Sequence, residues 1–185
     1  MKPLKKLVLI ALTIPILLVL ISFFLPSKYR VQRSVTTTAK TDTVFPLINT
    51  LKHWQEWSAW TVTRFPGMTT TYAGPDAGVG ASMTWDGKES GHGNLTITSS
   101  DPAKGITYDL DFEHGKYLSK GTIAFQAPAD SLIITWSNEG DLGWNPVSRF
   151  FGLLMDKMMG SDMQTGLDSL RRKAEEPIRV PEGGK

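Results

Sequence analysis

The C-terminal part of the chain contains a long stretch, residues 145–176, with the pattern of an amphipathic helix. Asn145 followed by Pro146 is typical of a helix start, because Asn accepts hydrogen bonds from free amides and proline has no amide to satisfy. Apolar residues then recur at a spacing of three and four, which places them on one helix face. They are Val147, Phe150, Phe151, Leu154, Met155, Met158 and Met159. A helix this long and this one-sided needs an apolar surface to pack against.

The apolar stripe of this helix changes face near Gly160. Beyond that point the apolar residues lie on a rotated face, and Ser161 and Gln164 have the spacing of a capping box. The later apolar residues are Met163, Leu167, Leu170 and Ala174. We therefore expect a kink or break near Gly160, with both halves of the helix covering one apolar surface.

The middle of the chain supplies that surface as a β-sheet. Apolar and polar residues alternate over much of residues 68–137, most clearly at 106–113, which predicts about six strands joined by short turns. A first strand at residues 29–39 and two short helices, near residues 42–51 and 53–57, precede them. Short turns imply antiparallel pairing, and the alternation implies one dry face that the long helix covers. The fold class is therefore α+β.

The N-terminus has the composition of a membrane anchor. Residues 7–25 contain no charged side chain, and a helix of about 20 apolar residues crosses a bilayer core. A cleaved signal peptide is the alternative, but residues 23–26 (Phe-Phe-Leu-Pro) lack the small residues of a cleavage site. We expect a single-pass anchor at residues 1–27, a globular domain at 28–176 and a disordered tail at 177–185. Basic residues flank the span on both sides, and we place the domain outside the cytoplasm, at the inner membrane.

Composition narrows the possible functions. The chain has no cysteine, so disulfides and thiolate nucleophiles are excluded. Its 20 basic and 18 acidic residues nearly balance, which argues against nucleic-acid binding. The three histidines, His53, His92 and His114, lack metal-ligand spacing, and we predict neither a metal site nor a cofactor.

The order of elements, together with several short stretches, resembles a known superfamily. Residues 53–58 (His-Trp-Gln-Glu-Trp-Ser) are similar to the Trp-rich second helix of membrane-tethered members, and residues 78–81, 85–87, 135–136 and 166–167 add to the likeness. The resemblance, over about residues 29–174, is to the START/Bet v1-like (SRPBCC) superfamily, including its polyketide cyclase/dehydrase-type group. It implies a helix-grip fold, with a curved antiparallel sheet of about seven strands around a long C-terminal helix and a cavity between them. The superfamily has no shared catalytic motif to carry over.

The candidate ligand-binding residues are aromatic and methionine side chains of the expected dry face, the second short helix and the long helix. They are Trp57, Trp60, Tyr72, Met83, Trp85, Tyr108, Phe112, Trp136, Phe151 and Met155. Phe151, Met155 and Met158 are expected to face the sheet. Such side chains give an apolar ligand shape and adaptability, although an ordinary filled core is the alternative for each.

Three functions fit this pattern. The first is binding of an apolar small molecule or lipid, without chemistry, at a membrane. The second is a cyclase- or hydratase-type enzyme, which requires a buried carboxylate or histidine such as Asp86 or Glu139 as a general base. Asp86, Glu89 and His92 lie near one hairpin, but turn chemistry explains them, and we predict no catalytic residue. The third is an envelope protein-interaction module, which requires an exposed apolar patch.

Overall fold

A seven-stranded antiparallel sheet forms the body of the protein, in a computed structural model that describes residues 13–176. The strands are β1 (Lys28–Thr37), β2 (Thr69–Ala73), β3 (Ser82–Gly87), β4 (Gly91–Asp101), β5 (Gly105–Phe112), β6 (Tyr117–Gln126) and β7 (Leu132–Asp141). The helices are α1 (Thr41–Asn49), α2 (Trp54–Trp57), α3 (Pro146–Gly152) and α4 (Met155–Glu175), with a 3-10 turn at Leu51–His53. The α+β, helix-grip-like architecture that the sequence predicts is confirmed.

The order of strands brings the two ends of the domain together. It runs β1-β7-β6-β5-β4-β3-β2, so β1 pairs with β7 while the other strands follow one another as hairpins. A register shift in β4 between Ile97 and Ser99 marks a bulge, which increases local twist and curvature. The long helix α4 lies against β1, at the edge of the sheet where the chain enters and leaves the domain.

One face of the sheet carries the core, as the alternation predicts. Ile106 and Tyr108 of β5 are buried, as are Ile134 and Trp136 of β7, whereas Asp109, the residue after Tyr108, is exposed. From α4, the same core receives four side chains of the rotated face. These are Met163, Leu167, Leu170 and Ala174. The second half of the long helix therefore covers the sheet as expected.

The break in the C-terminal helix lies earlier than Gly160. Asn145 caps α3 through its side chain, which accepts hydrogen bonds from the Val147 and Ser148 amides, but α3 ends at Gly152 and α4 runs unbroken through Gly160. Gly160 is buried because the Arg33 guanidinium crosses the helix there. A Cβ at this position would lie 2.0 Å from Arg33 Nη2. The prediction of a break at Gly160 is wrong because that glycine makes room for a side chain from β1.

The first half of the predicted long helix does not cover the sheet. Phe151 and Met158 are exposed, so the prediction that they face the sheet is wrong, whereas Met155 is half-buried against the core. For Phe151 the physical reason is that α3 lies beyond the sheet, beside residues 22–25, where Arg149 contacts the main chain.

The N-terminal segment is described only from residue 13. Residues 13–22 are helical, and their apolar side chains are mostly exposed. No helix within residues 13–176 is both long enough and apolar enough to cross a bilayer. The predicted span begins at residue 7, and residues 1–12 lie outside the described part of the chain, as does the predicted tail at 177–185.

Candidate functional site

Aromatic side chains fill the space between the sheet and α4 where the resemblance implies a cavity. Trp54 and Trp57 of α2 lie 5.0 Å apart between ring centroids, and Trp57 is 5.4 Å from Trp136 of β7 in an edge-on arrangement. Trp54 also meets the Tyr108 ring edge-on at 5.5 Å. Tilted and edge-on ring pairs are the favoured arrangements of packed aromatics. The interior between the sheet and α4 is therefore closely packed here.

The indole N–H groups of this cluster have partners within the protein. Trp54 Nε1 donates to the Ile48 carbonyl at 2.8 Å, and Trp57 Nε1 donates to the Leu47 carbonyl at 2.9 Å. These bonds tie α2 to the end of α1. Because both donors are used, they serve the fold rather than orient a ligand.

A buried polar chain runs from the aromatic cluster toward the start of β1. Trp136 Nε1 donates to the Tyr108 hydroxyl at 2.9 Å. Further along, Tyr29 Oη donates to Asn138 Oδ1 at 3.2 Å, and Asn138 Nδ2 donates to Ser119 Oγ at 3.3 Å. Asn138 is fully buried, so these bonds satisfy an amide that would otherwise be costly to enclose.

Both phenols of this chain are neutral near pH 7, and burial raises the pKa of each above its ordinary value of 10.0. It raises the pKa of Tyr108 to about 12, against smaller opposing effects of hydrogen bonds with Trp136 and Asn138. Burial also raises the pKa of Tyr29. Near neutral pH both hydroxyls therefore act as hydrogen-bonding groups and not as bases.

The Tyr108 ring has room because β6 carries a glycine opposite it. Tyr108 pairs with Gly121 across the β5–β6 ladder, and a Cβ at Gly121 would lie 1.9 Å from the Tyr108 Cζ. The glycine therefore lets the ring lie flat over the neighbouring strand, with its hydroxyl directed toward Trp136.

A small cavity of about 120 Å³ lies where β1 begins, beside α3 and the start of α4. It is lined by Pro26, Lys28, Tyr29, Arg30, Val31, Arg149, Gly152, Leu153, Met155 and Asp156. Its walls combine apolar side chains with three cations and one carboxylate. Tyr29 is both a wall of this cavity and a member of the buried polar chain.

The ten predicted ligand-binding residues fall into four places. Trp57, Met83, Tyr108 and Trp136 are buried in the core, and Trp60, Trp85 and Phe112 are half-buried at its margin. Tyr72 and Phe151 are exposed at the surface. Met155 alone among the ten lines the cavity. A ligand-binding role for each of them stays a prediction.

The alternation missed the two polar residues that join the cavity to the core. Asn138 continues the inward-facing series that runs through Leu132, Ile134 and Trp136, so a polar residue in a dry-face position was the available signal. Tyr29 stands at the start of β1, where the alternation is too short to show its direction.

The carboxylates that an enzyme would need are at the surface. The side chains of Asp86 and Glu139 are 74% and 54% exposed. His92 Nδ1 is 3.9 Å from Asp86 Oδ1, beyond hydrogen-bond reach, and its ring stacks on His114 at 3.9 Å. Neither carboxylate meets the requirement of a buried general base that the enzyme hypothesis sets.

Comparisons with known proteins agree with this architecture. A family model described as "Polyketide cyclase / dehydrase and lipid transport" matches residues 28–175. A search of curated protein sequences finds no match.

Solved structures with a similar fold come from varied sources. The hypothetical protein jhp0584 from Helicobacter pylori aligns with a TM-score of 0.60 at 9% identity, covering 79% of this chain and 88% of that one. A norcoclaurine synthase point mutant from Thalictrum flavum aligns with a TM-score of 0.60 at 15% identity, covering 80% and 95%. The di-domain ARO/CYC protein StfQ of the steffimycin pathway aligns with a TM-score of 0.58 at 10% identity, and the alignment covers 80% of this chain and 51% of that one. At these identities the likeness shows the fold alone.

Proposed function

We propose that this protein binds an apolar small molecule or lipid, without chemistry, while tethered to a membrane. The chain belongs to the polyketide cyclase/dehydrase and lipid transport family, and this membership supports the proposal. The observation that carries the proposal is the cavity at the start of β1. It is the place in the described chain where apolar walls, a hydrogen-bonding phenol and charged groups meet at an opening between sheet and helices.

The size of the cavity limits how a ligand sits in it. Pockets that enclose a drug-sized ligand measure ~300–1,000 Å³, so 120 Å³ receives only one end of such a molecule. Tyr29, Val31 and Met155 would contact that end. The rest of the ligand would lie outward along Leu153, whose side chain is exposed. The aromatic cluster would have to part before a ligand reached Trp57 or Trp136.

The tether is supported by the exposed apolar side chains of the N-terminal segment. Seven large apolar residues between Ile14 and Ile21 are exposed by 41% to 60%, which is costly in water and favourable in lipid. In this proposal residues 7–25 cross the inner membrane once, with the domain outside the cytoplasm, and the cavity lies close to where that segment ends.

Native mass spectrometry of the full-length chain, extracted from its host membrane in mild detergent, tests the proposal. Leu153→Trp places a bulky ring at the cavity mouth, and Leu118→Trp makes the same exchange at an exposed site on β6 that does not line the cavity. We expect the wild-type protein and Leu118→Trp to carry a co-purified apolar molecule that Leu153→Trp loses. A wild-type protein without a bound molecule, or equal occupancy in all three, would contradict the proposal.

A further inference from the structure

Helix α3 and the loop before it expose apolar side chains that the core does not use. Trp144 is 77% exposed, Val147 64% and Phe151 51%. At the end of the N-terminal segment, Phe24 is 89% exposed. Large apolar side chains exposed together at one place on a globular domain mark an interaction site.

Arg149 fixes this surface next to the end of the apolar N-terminal segment. Its side chain is buried, and Nη1 donates to the carbonyls of Ser22, Phe23 and Leu25 at 3.2, 3.4 and 3.3 Å. They lie at and just after the end of the N-terminal helix, where carbonyls begin to lack helical partners, although the Ser22 carbonyl also accepts from the Leu25 amide at 3.2 Å. Arg149 Nε also donates to the Gly143 carbonyl at 2.9 Å. One guanidinium therefore holds the N-terminal segment and the β7–α3 loop together.

A second contact strengthens the same junction. The Leu142 amide donates to the Ser27 carbonyl at 2.7 Å, so β7 and the start of β1 are joined directly before α3 begins. The Arg149 guanidinium carbon also lies 5.1 Å from the Trp144 ring centroid, within cation–π range. The exposed residues of α3 are thus held where the apolar segment leaves the domain.

We propose that Phe24, Trp144, Val147 and Phe151 form a membrane-docking surface that inserts into the interfacial layer of the bilayer entered by residues 7–25. The inference rests on the tether in the proposed function. Tryptophan prefers the membrane interface, and a short helix with one apolar face can lie in that layer. Lys28 and Arg30, on the adjoining β1, supply positive charge for anionic headgroups.

The position of this docking surface determines the side toward which the cavity opens. Arg149, Gly152 and Leu153 line the cavity and belong to α3 or the residue after it. With α3 in the interfacial layer, the cavity opens toward lipid. An apolar ligand then passes between bilayer and protein without crossing bulk water.

Single-cysteine variants of the full-length chain test the docking surface, because the protein has no native cysteine. Val147→Cys and Phe151→Cys report on the surface, and Leu17→Cys reports on the tether. Val79→Cys is the control, at an exposed position in the turn before β3, on the side of the sheet away from β1. Each variant carries a nitroxide label and is reconstituted into vesicles of phosphatidylcholine and phosphatidylglycerol in equal parts. Collision rates with oxygen, which enriches in lipid, and with a water-soluble nickel chelate locate each label.

We expect the labels at 17, 147 and 151 to collide more with oxygen than with nickel, and the label at 79 to show the reverse. If label 17 is in lipid while 147 and 151 meet the nickel chelate, the docking surface is refuted and the tether stands. If 17, 147 and 151 all meet nickel, both fail. If 147 and 151 are shielded from both reagents, a protein partner or a second copy covers α3, which also overturns the inference.

Discussion

The two ends of the space between sheet and helices differ in how they are filled. At the packed end, Trp57, Trp136 and Leu167 of α4 are all buried in one core cluster. At the open end, Tyr29 and Met155 leave a cavity of about 120 Å³. In the proposed function the packed end stabilises the domain and the open end binds the ligand. The following predictions examine this division.

Both ends contain helical apolar residues at the same spacing, yet only one set is buried. The spacing shows which residues share a helix face, but the covering surface depends on where the chain turns after β7. Arg149 and its contacts with residues 22–25 set the position of α3, and such long-range contacts leave no periodic trace. An amphipathic pattern therefore predicts a face and not its partner.

Matched leucine truncations should show the largest contrast. Leu167→Ala removes a fully buried side chain from the packed end and should lower the free energy of unfolding by about 2–5 kcal/mol. Leu154→Ala, an equal truncation at an exposed position between α3 and α4, should change it by no more than about 0.5 kcal/mol. Urea unfolding of the full-length chain in detergent measures both. Equal losses would show that the two ends are packed alike.

The loss of stability at alkaline pH should show a smaller contrast, between Tyr108 at the packed end and Tyr29 at the open end. The unfolded Tyr108 ionises near its ordinary pKa of 10.0, and the folded one at about 12, so the unfolded state holds fewer protons between these values. Stability from this group is present in full below pH 10 and is lost as pH rises toward 12, by up to about 1.4 kcal/mol per pH unit.

Tyr108→Phe should remove part of that alkaline slope. The variant is less stable than the wild-type protein near neutral pH, because the Trp136 indole loses its acceptor, and the gap should narrow between pH 10 and 12. Tyr29→Phe, at the open end, should flatten the slope less because its ring is only partly buried. Urea unfolding midpoints of the wild-type protein and both variants, measured between pH 10 and 12, test this prediction. A gap that stays constant would show that the Tyr108 hydroxyl is not enclosed.

The sheet was predictable from sequence and the cavity was not. Strict alternation at residues 106–113 indicates β5 because each inward residue meets the same core. Gly160, by contrast, looked like a helix break, and only contact with Arg33, from a strand far away in sequence, explains it. The cavity depends on Tyr29 and Met155, which lie more than a hundred residues apart. Local periodicity cannot report such pairings.

Photo-crosslinking tests the central claim, that an apolar ligand occupies the open end and not the packed end. The full-length chain, in vesicles doped with a diazirine-bearing fatty acid, is irradiated and digested, and the labelled residues are read by mass spectrometry. We predict adducts at Tyr29 and Val31 of β1, at Leu153 just after α3 and at Met155 of α4. Adducts at Trp57, Tyr108 or Trp136 with none at the open end, or no adduct anywhere in the domain, would contradict the account.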